Sequence, residues 1–275
     1  MRKAVPYLVG LAIMAAIVLF AYRSNPEMQE RRDLQPSRLE GGNERDTRKI
    51  GEIDLEKLYP GLVLRASKAP DKIVALTFDD GPDRLYTPQV LDVLKAKGVK
   101  ATFFLIGKRI EEDPDVAKRI ADEGHSIGNH TYSHPELTEA SDSLPEEIAK
   151  AKQAIEAVGV TDNGFFRPPY GAAEPSLVEQ VADLGYRIAM WSIDSLDWRG
   201  LSRTEVVKNV EGYVVPGSVI LQHSAGGPGE DLSGSVLAVG DIIDKLRAQG
   251  YRFVTLDEMF PEPEKAPKRA AKPAP

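Results

Sequence analysis

Two adjacent carboxylates, Asp79 and Asp80, follow the apolar run 73–78 at the point where Gly81 and Pro82 interrupt it. The run is rich in β-forming residues, so it predicts a buried strand. Two carboxylates side by side repel each other, which raises the pKa of one of them unless a cation lies nearby. Asp-Gly-Pro taken alone is typical of a turn. The pair therefore predicts either a simple turn or a site where a metal ion or an arginine offsets the negative charge.

His130 and His134 have the spacing that places two imidazoles on one helical face or across one turn, as in many metal sites. Residue 131 is threonine rather than glutamate, so the zincin motif and its general base are absent. With one carboxylate of the Asp79–Asp80 pair, the two imidazoles would leave coordination positions open for water and substrate. The chain contains no cysteine, so a metal must be held by His, Asp or Glu.

The second carboxylate of the pair would then be free to act as a general base. Arg167 could neutralise and orient it, although an exposed arginine in a rigid loop is the alternative. Among the four histidines of the chain, His223 is the natural general acid, and a carboxylate from Asp194 or Asp197 could hold its second nitrogen. Spacing does not decide between these two aspartates. His125 is expected to be a packed structural histidine.

The elements that must position these residues alternate between short apolar runs and helical patterns from about residue 62 to residue 260. We expect strands at 73–78, 101–106, 125–129, 164–166, 187–191, 219–221 and 251–254. Thr87-Pro88 and Asp113-Pro114 are each expected to be the N-cap and first residue of a helix, and these helices end near Lys97 and at Glu123. Further helices are expected at 145–158, 175–184 and 236–249, and from the capping box Ser202-x-x-Glu205 to about Val210. Such alternation predicts a parallel sheet, and the number of units favours a closed or partly open β/α barrel over a doubly wound open sheet.

The barrel prediction explains where the polar residues fall. In a β/α barrel, chemistry gathers at the carboxyl ends of the strands. The two aspartates, the histidine pair, Arg167, the Asp194–Asp197 pair and His223 follow five different predicted strands. The sequence therefore predicts one site at that end of the barrel.

The amino terminus carries an uncharged, mostly apolar run at 4–22, preceded by Arg2 and Lys3. As a helix, these 19 residues would span about 28 Å, close to the thickness of a bilayer's hydrocarbon core. A cleaved signal peptide is the alternative, but no small-x-small cleavage site ends the run. The excess of positive charge before the run places the rest of the chain outside the cytoplasm. We predict a single-pass transmembrane anchor at 1–23 in the cell membrane.

Composition divides the rest of the chain. Residues 24–61 are polar and are predicted to be an extracytoplasmic stalk, residues 62–260 form the folded domain, and residues 261–275 are a disordered tail rich in Pro, Ala and Lys. The net charge of -7 gives no support to nucleic-acid binding. Nothing in the sequence indicates an oligomeric state.

Five motifs taken together resemble those of the polysaccharide deacetylases, which are carbohydrate esterase family four and are also called the NodB homology domain. The motifs are TFDDGP at 77–82, HTYSH at 130–134, RPPYG at 167–171, DSLDW at 194–198 and LQH at 221–223. They occur in the family's order and cover roughly residues 70–260. No motif position departs from the family pattern. The chain is therefore similar to membrane-anchored bacterial peptidoglycan deacetylases.

The resemblance implies a distorted (β/α)7-8 barrel with a divalent metal, usually Zn2+, held by Asp80, His130 and His134. It also implies that Asp79 is the general base and that Arg167 supports it. These assignments come from the motif positions and not from the spacing of the residues.

The remaining roles come from the same resemblance. His223 would be the general acid, tuned by Asp197, and the backbone N–H of Tyr170 would help to stabilise the oxyanion. The substrate pocket around the acetyl methyl group would be lined by Leu221, Trp198 and Pro169.

The expected activity is the removal of N-acetyl groups from amino sugars of a cell-wall polysaccharide, above all from the N-acetylglucosamine of peptidoglycan. One alternative is the same chemistry on chitin oligomers, poly-N-acetylglucosamine or acetylxylan. The other is a membrane-tethered wall-binding or developmental protein whose site is idle.

Overall fold

The computed structural model describes residues 54–261, except for Ala69, residues 138–141 and Pro228. The predicted anchor at 1–23, the stalk up to residue 53 and the tail from residue 262 lie outside the described residues. Within the described part of the chain, none of the helices combines the length and the apolar character needed to cross a bilayer.

Nine strands form the framework of the described chain. They are β1 Val63–Leu64, β2 Ile73–Asp79, β3 Thr102–Leu105, β4 Ser126–Asn129, β5 Phe165–Phe166, β6 Arg187–Ala189, β7 Ile193–Asp194, β8 Ser218–His223 and β9 Arg252–Phe253. The helices are α1 Leu55–Leu58, α2 Thr87–Lys97, α3 Gly107–Glu112, α4 Pro114–Asp122, α5 Leu144–Ala157, α6 Pro175–Asp183, α7 Arg203–Glu211, α8 Ser233–Ala248 and α9 Leu256–Met259. Two single 3-10 turns occur at Pro169–Gly171 and Asp197–Arg199.

The strands pair in parallel in the order β1-β6-β5-β4-β3-β2-β8-β7, with β9 beside β2. From β2 to β6 each strand lies next to its neighbour in sequence, whereas a doubly wound sheet reverses direction at a switch point. An antiparallel bridge between Ala66 and Ser218 links the segment after β1 to β8. The predicted parallel sheet is confirmed, and its form is a curled half-barrel.

Alternation of side chains along the strands divides the core into two layers. Val74 and Leu76 of β2 point to the outer layer, where they pack with the apolar faces of the surrounding helices. Ile73 and Ala75 point to the inside of the curled sheet, where they pack with Phe104, Phe165, Ala189 and Val219. Asp79 continues this inner row at the end of β2. The inside of the sheet is therefore apolar at one end and polar at the other.

Three expectations about elements need correction. The strand expected at 187–191 stops at Ala189, and the chain crosses to the other edge of the sheet, where β7 pairs with β8. Thr87 is the first residue of α2 rather than its cap, because Asp83 Oδ1 accepts the backbone N–H groups of residues 85–87. The folded part begins before residue 62, since Leu55 and Tyr59 pack against the core. The capping box at Ser202 and Glu205 is confirmed.

Candidate active site

The pairing of β2 with β8 places two predicted site residues side by side. Asp79 lies opposite His223 and Thr77 lies opposite Leu221 in the parallel register. Because side chains alternate along a strand, these four residues share the inner face of the sheet. Asp80 follows with a left-handed backbone, φ 69°, so its side chain leaves the regular strand path. Residues that are far apart in sequence thus meet at the carboxyl end of the sheet.

Asp80, His130 and His134 form a group whose possible ligand atoms all lie within 4.8 Å of one another. Asp80 Oδ1 is 3.3 Å from the Nε2 atom of each histidine. Among the described residues, this carboxylate oxygen is buried and has no hydrogen-bond donor. A divalent cation would satisfy all three atoms, and two imidazoles with one carboxylate are typical zinc ligands. The three residues therefore fit the metal that the sequence predicts.

Contacts with neighbouring residues orient the rings of His130 and His134. His130 Nδ1 lies 2.7 Å from the carbonyl oxygen of Arg167. Since a carbonyl can only accept, Nδ1 carries the proton and Nε2 presents its lone pair to Asp80. The ring of His134 packs edge-on against the ring of Tyr170, with centroids 4.7 Å apart. Burial, followed by the charge of His130, lowers the pKa of His134 to about 4, so this imidazole is neutral at physiological pH and available as a ligand.

The histidine pair lies in a loop after β4 and not on a helix. Thr131 and His134 have positive φ angles of 67° and 58°. The loop is held by Glu147 of α5, whose Oε2 accepts the N–H groups of Tyr132 at 2.9 Å and Ser133 at 2.8 Å. Sequence reasoning missed Glu147, because a glutamate in the first turn of a helix is common without any such role.

Arg167 and Asp79 form a buried ion pair. Arg167 Nη1 lies 2.7 Å from Asp79 Oδ1 and 2.9 Å from Thr77 Oγ1, and Nε donates to the carbonyl of Ala189 at 2.8 Å. The guanidinium lies over the ring of Phe104, 4.1 Å from its centroid. The arginine is completely buried. The alternative of an exposed loop arginine is therefore excluded.

A second acid–base pair faces the first. His223 Nδ1 is 2.8 Å from Asp197 Oδ1, and the backbone N–H of His223 donates to Asp197 Oδ2 at 2.8 Å. Asp194 instead accepts the N–H of Leu196 at 2.8 Å, so geometry assigns Asp197 as the partner. Burial lowers the pKa of His223, but the charge and hydrogen bond of Asp197, with the charges of Asp80 and Asp79, outweigh it and raise the pKa to about 10.

Comparison with known proteins identifies the family of this chain. Residues 66–189 match the sequence profile of a family described as polysaccharide deacetylase. The chain is 48% identical over 188 residues to a peptidoglycan-N-acetylglucosamine deacetylase of Bacillus cereus, an alignment that covers 68% of each chain. The chain belongs to the polysaccharide deacetylase family. The predicted family and enzyme class are thereby confirmed.

One further relative and one solved structure extend the comparison. The present chain is 34% identical over 200 residues to the peptidoglycan-N-acetylmuramic acid deacetylase PdaA of Bacillus subtilis, covering 70% of this chain and 73% of the relative. A crystal structure of a peptidoglycan N-acetylglucosamine deacetylase with 4-naphthalen-1-yl-N-oxidanyl-benzamide superimposes with a TM-score of 0.69 and 44% identity. That match covers 72% of this chain and 92% of the other.

The remaining predicted residues of the deacetylase are neighbours of these site residues along the chain. Tyr170 has a left-handed backbone, φ 59°, and its side chain is 49% exposed beside His134. Pro169 is buried in the same 3-10 turn. Leu221 is buried on β8, two residues before His223, and the half-buried Trp198 follows Asp197.

His125 lies apart from the site. It precedes β4, whose four residues separate it from His130. Its Nδ1 accepts the backbone N–H of Ala101 at 3.2 Å, and its ring packs edge-on against Phe103. These contacts are those of a packed structural histidine.

Proposed function

We propose that this chain is a metal-dependent hydrolase that removes N-acetyl groups from the N-acetylglucosamine of peptidoglycan. One observation carries the proposal: the ion pair Arg167–Asp79 and the hydrogen-bonded pair Asp197–His223 flank a single group of metal-ligand side chains. A base and an acid on either side of a Lewis-acid site are what amide hydrolysis needs. The relative at 48% identity, which is named for N-acetylglucosamine, supports that sugar.

The metal ligands in this proposal are Asp80, His130 and His134, and Zn2+ is the ion that suits them best. When bound there, the ion supplies Lewis acidity, which lowers the pKa of water and polarises a carbonyl group.

Asp79 is the proposed base. Its Oδ2 lies 3.9 Å from Nε2 of His130, at the edge of the ligand group, while Arg167 holds its Oδ1. The guanidinium forms an ion pair with the carboxylate and fixes its orientation. Asp79 is thus ready to take a proton from the attacking water.

His223 is the proposed acid, which gives its proton to the departing amine. An amine is a poor leaving group unless it is protonated, and proton transfer of this kind contributes about 10²–10⁴-fold. Asp197 keeps His223 protonated at neutral pH, because it raises the pKa of the imidazole. The backbone N–H of Tyr170 would donate to the developing oxyanion. Leu221, Trp198 and Pro169 would surround the acetyl methyl group.

The test is acetate release by the full-length chain, loaded with zinc or treated with a chelator, on peptidoglycan, chitin oligomers and acetylxylan. The proposal predicts zinc-dependent release from peptidoglycan. Mass spectrometry of muramidase fragments should then locate the new free amine on glucosamine. Free amines on muramic acid alone, or release only from chitin oligomers or acetylxylan, would overturn the proposed substrate. Zinc binding with no release from any polymer would indicate an idle, wall-binding site.

We also propose that residues 1–23 anchor the enzyme in the cell membrane, with the deacetylase domain outside the cell. The uncharged run at 4–22 and the charge before it support this placement. Full-length protein in bacterial membranes should resist extraction with alkaline carbonate, and a variant lacking residues 2–23 should not sediment with the membranes. Extraction of the full-length chain by carbonate would contradict the anchor.

A further inference from the structure

A chain of buried hydrogen bonds leads to Asp197 Oδ2, the carboxylate oxygen that does not pair with the imidazole of His223. Gln222 Nε2 lies 3.2 Å from Ser235 Oγ, and Ser235 Oγ lies 2.5 Å from Asp197 Oδ2. Gln222 belongs to β8 and Ser235 to the first turn of α8. All three residues are at most 1% exposed. This buried polar chain connects β8, α8 and the 3-10 turn that begins at Asp197.

The direction of these hydrogen bonds follows from the chemistry of the groups. An ionised carboxylate can only accept, so the single hydroxyl proton of Ser235 must point to Asp197. Ser235 Oγ then needs a donor from Gln222, which fixes the amide nitrogen toward the serine. Among the described residues, Gln222 Oε1 is buried without a partner. The amide is thus oriented for Ser235 although its own oxygen is left unsatisfied, which is costly in a protein interior.

The hydroxyl completes the set of donors around Asp197. Oδ2 accepts from Ser235 Oγ and from the backbone N–H of His223. Oδ1 accepts from the backbone N–H of Trp198 at 3.0 Å and from His223 Nδ1 at 2.8 Å. With two donors on each oxygen, the carboxylate cannot turn without losing hydrogen bonds. Its plane therefore dictates where the imidazole of His223 points.

We propose that Ser235 is a positioning residue for the acid His223, with Gln222 as its support. Ser235 acts through Asp197: its hydroxyl fixes the carboxylate, and the carboxylate fixes the imidazole. The inference rests on the proposed function, because it concerns the same acid. It assigns a role to a residue outside the five motifs.

Ser235→Ala in the full-length, zinc-loaded chain is the first test. Loss of the hydroxyl leaves Asp197 Oδ2 with only the backbone N–H of His223. We therefore expect kcat to fall by about 10- to 100-fold, the size of effect seen when the hydrogen-bond partners of metal-bound histidines are removed. KM and zinc affinity should stay unchanged, because the hydrogen bonds of Ser235 run to Asp197 and Gln222 and not to the metal ligands. Ser235→Thr, which keeps the hydroxyl, should restore most of kcat. A wild-type kcat in Ser235→Ala would overturn the proposal.

Ser218→Ala is the matched control. Ser218 is also a fully buried serine, and its Oγ accepts the backbone N–H of Val215 at 3.0 Å. It lies at the opposite end of β8 from His223, about 16 Å along the strand. This variant should lose some stability and keep its kcat. An equal loss of kcat in both serine variants would mean that a buried hydroxyl matters only for the fold, which would contradict the proposal.

Gln222→Leu tests whether Gln222 acts by positioning Ser235 or by stabilising the fold. The substitution removes the unsatisfied Oε1 together with the donor to Ser235, so Tm should be unchanged or higher while kcat falls. A purely structural role would make kcat follow Tm. A kcat at or above the wild-type value in this variant would overturn the part assigned to Gln222.

An NMR measurement tests the role of Ser235 without depending on deacetylase activity. The chain has four histidines, so a spectrum of 15N-histidine-labelled protein is simple to assign with a His223→Gln variant. The Nδ1–H signal of His223 should be slow to exchange with water in the wild-type chain and in Ser218→Ala, and faster in Ser235→Ala. If the wild-type chain released no acetate from any polymer, the proposed function would fail and this signal would still decide the inference. An identical signal in Ser235→Ala would contradict it.

Discussion

Asp79 and Asp80 are neighbours in sequence, yet each has a different set of partners. The regular strand geometry of β2 turns Asp79 toward Arg167, while the left-handed backbone of Asp80 turns its side chain toward His130 and His134. The repulsion expected between adjacent carboxylates is thus relieved on one side by a buried arginine. On the other side it would be relieved by a metal ion. One change in backbone conformation separates the proposed base from the proposed ligand.

The acid pair predicts a change in the pH dependence of the reaction. His223 must be protonated to act, so activity should be lost as pH rises through its pKa, which Asp197 helps to raise to about 10. Asp197→Asn removes the negative charge, so burial dominates and the pKa of His223 falls. The alkaline limb of kcat should therefore move to lower pH.

A pH–rate profile of the zinc-loaded chain measures this shift. Asp194→Asn is the control, because Asp194 hydrogen-bonds the backbone of Leu196 and not His223, and its alkaline limb should move much less. An unchanged alkaline limb in Asp197→Asn would show that His223 is not the acid or that Asp197 does not set its pKa.

At the level of residues, the sequence predicted the members of the site but not all of their supports. Asp79, His130, Arg167 and His223 stand in motifs, and the fold brings them together. Ser235 has no such signal, because a serine at the start of a helix is common and its role depends on a contact with Asp197, 38 residues away. Supports made by tertiary contacts cannot be recognised from spacing alone.

Among the elements, the loop that carries His134 depends on α5. Glu147 accepts two backbone N–H groups and, through Oε1, the hydroxyl of Ser133 at 2.8 Å. Glu147→Ala would leave this loop without its anchor. Zinc affinity should fall by about 10- to 100-fold, as is usual when a residue that orients a metal ligand is removed.

Isothermal titration with zinc tests the role of Glu147. Glu146→Ala serves as the matched control, since Glu146 precedes Glu147 on α5 and its exposed side chain pairs with Lys150. Zinc affinity should be that of the wild-type chain in this control. Equal affinities in both variants would mean that the loop holds its shape without α5.

His125 predicts a second pH effect, this time on stability. Burial, followed by the charge of Lys100, lowers its pKa from 6.5 to about 4. Between these values the unfolded chain binds more protons than the folded chain, so stability present above pH 6.5 is lost as pH falls toward about 4. The slope is about 1.4 kcal/mol per pH unit in the free energy of unfolding, which gives a loss of roughly 3 kcal/mol over the window.

His125→Asn tests this effect, because the asparagine oxygen can still accept the N–H of Ala101 while the side chain does not titrate. Urea unfolding from about pH 7 to 4 should show a shallower loss of stability in the variant than in the wild-type chain. Identical pH dependence in the two proteins would show that His125 does not contribute.

At the level of elements, the long strand β2 was predicted closely, whereas the short strands β1 and β7 were not predicted. β2 has seven residues and a continuous apolar run, so its position was predicted to within one residue. β1 and β7 have two residues each, which is too short for any periodic pattern. The crossing between β6 and β7 depends on curling of the sheet, and its partners are set by tertiary structure.

At the scale of the folded domain, the curled sheet places the apolar side chains that stabilise it and the polar residues of the site at different ends of its inner face. The inner face is filled by apolar side chains such as Phe165 and Val219 at one end, and Arg167, Asp79 and His223 follow toward the carboxyl ends of the strands. Parallel pairing predicts this division, because every strand then ends on the same side. The alternation of elements in the sequence was sufficient to predict the parallel sheet, while the degree of closure depends on contacts such as that between Ala66 and Ser218.

In the proposed mechanism, Asp79 and Asp80 divide base catalysis and metal binding within one deacetylase site. The most direct test is the rate of acetate release from peptidoglycan by the full-length Asp79→Asn variant, with its bound zinc measured in the same sample. We expect zinc binding like that of the wild-type chain and a rate reduced by at least about 10²-fold. A rate near that of the wild-type chain would show that Asp79 is not the base.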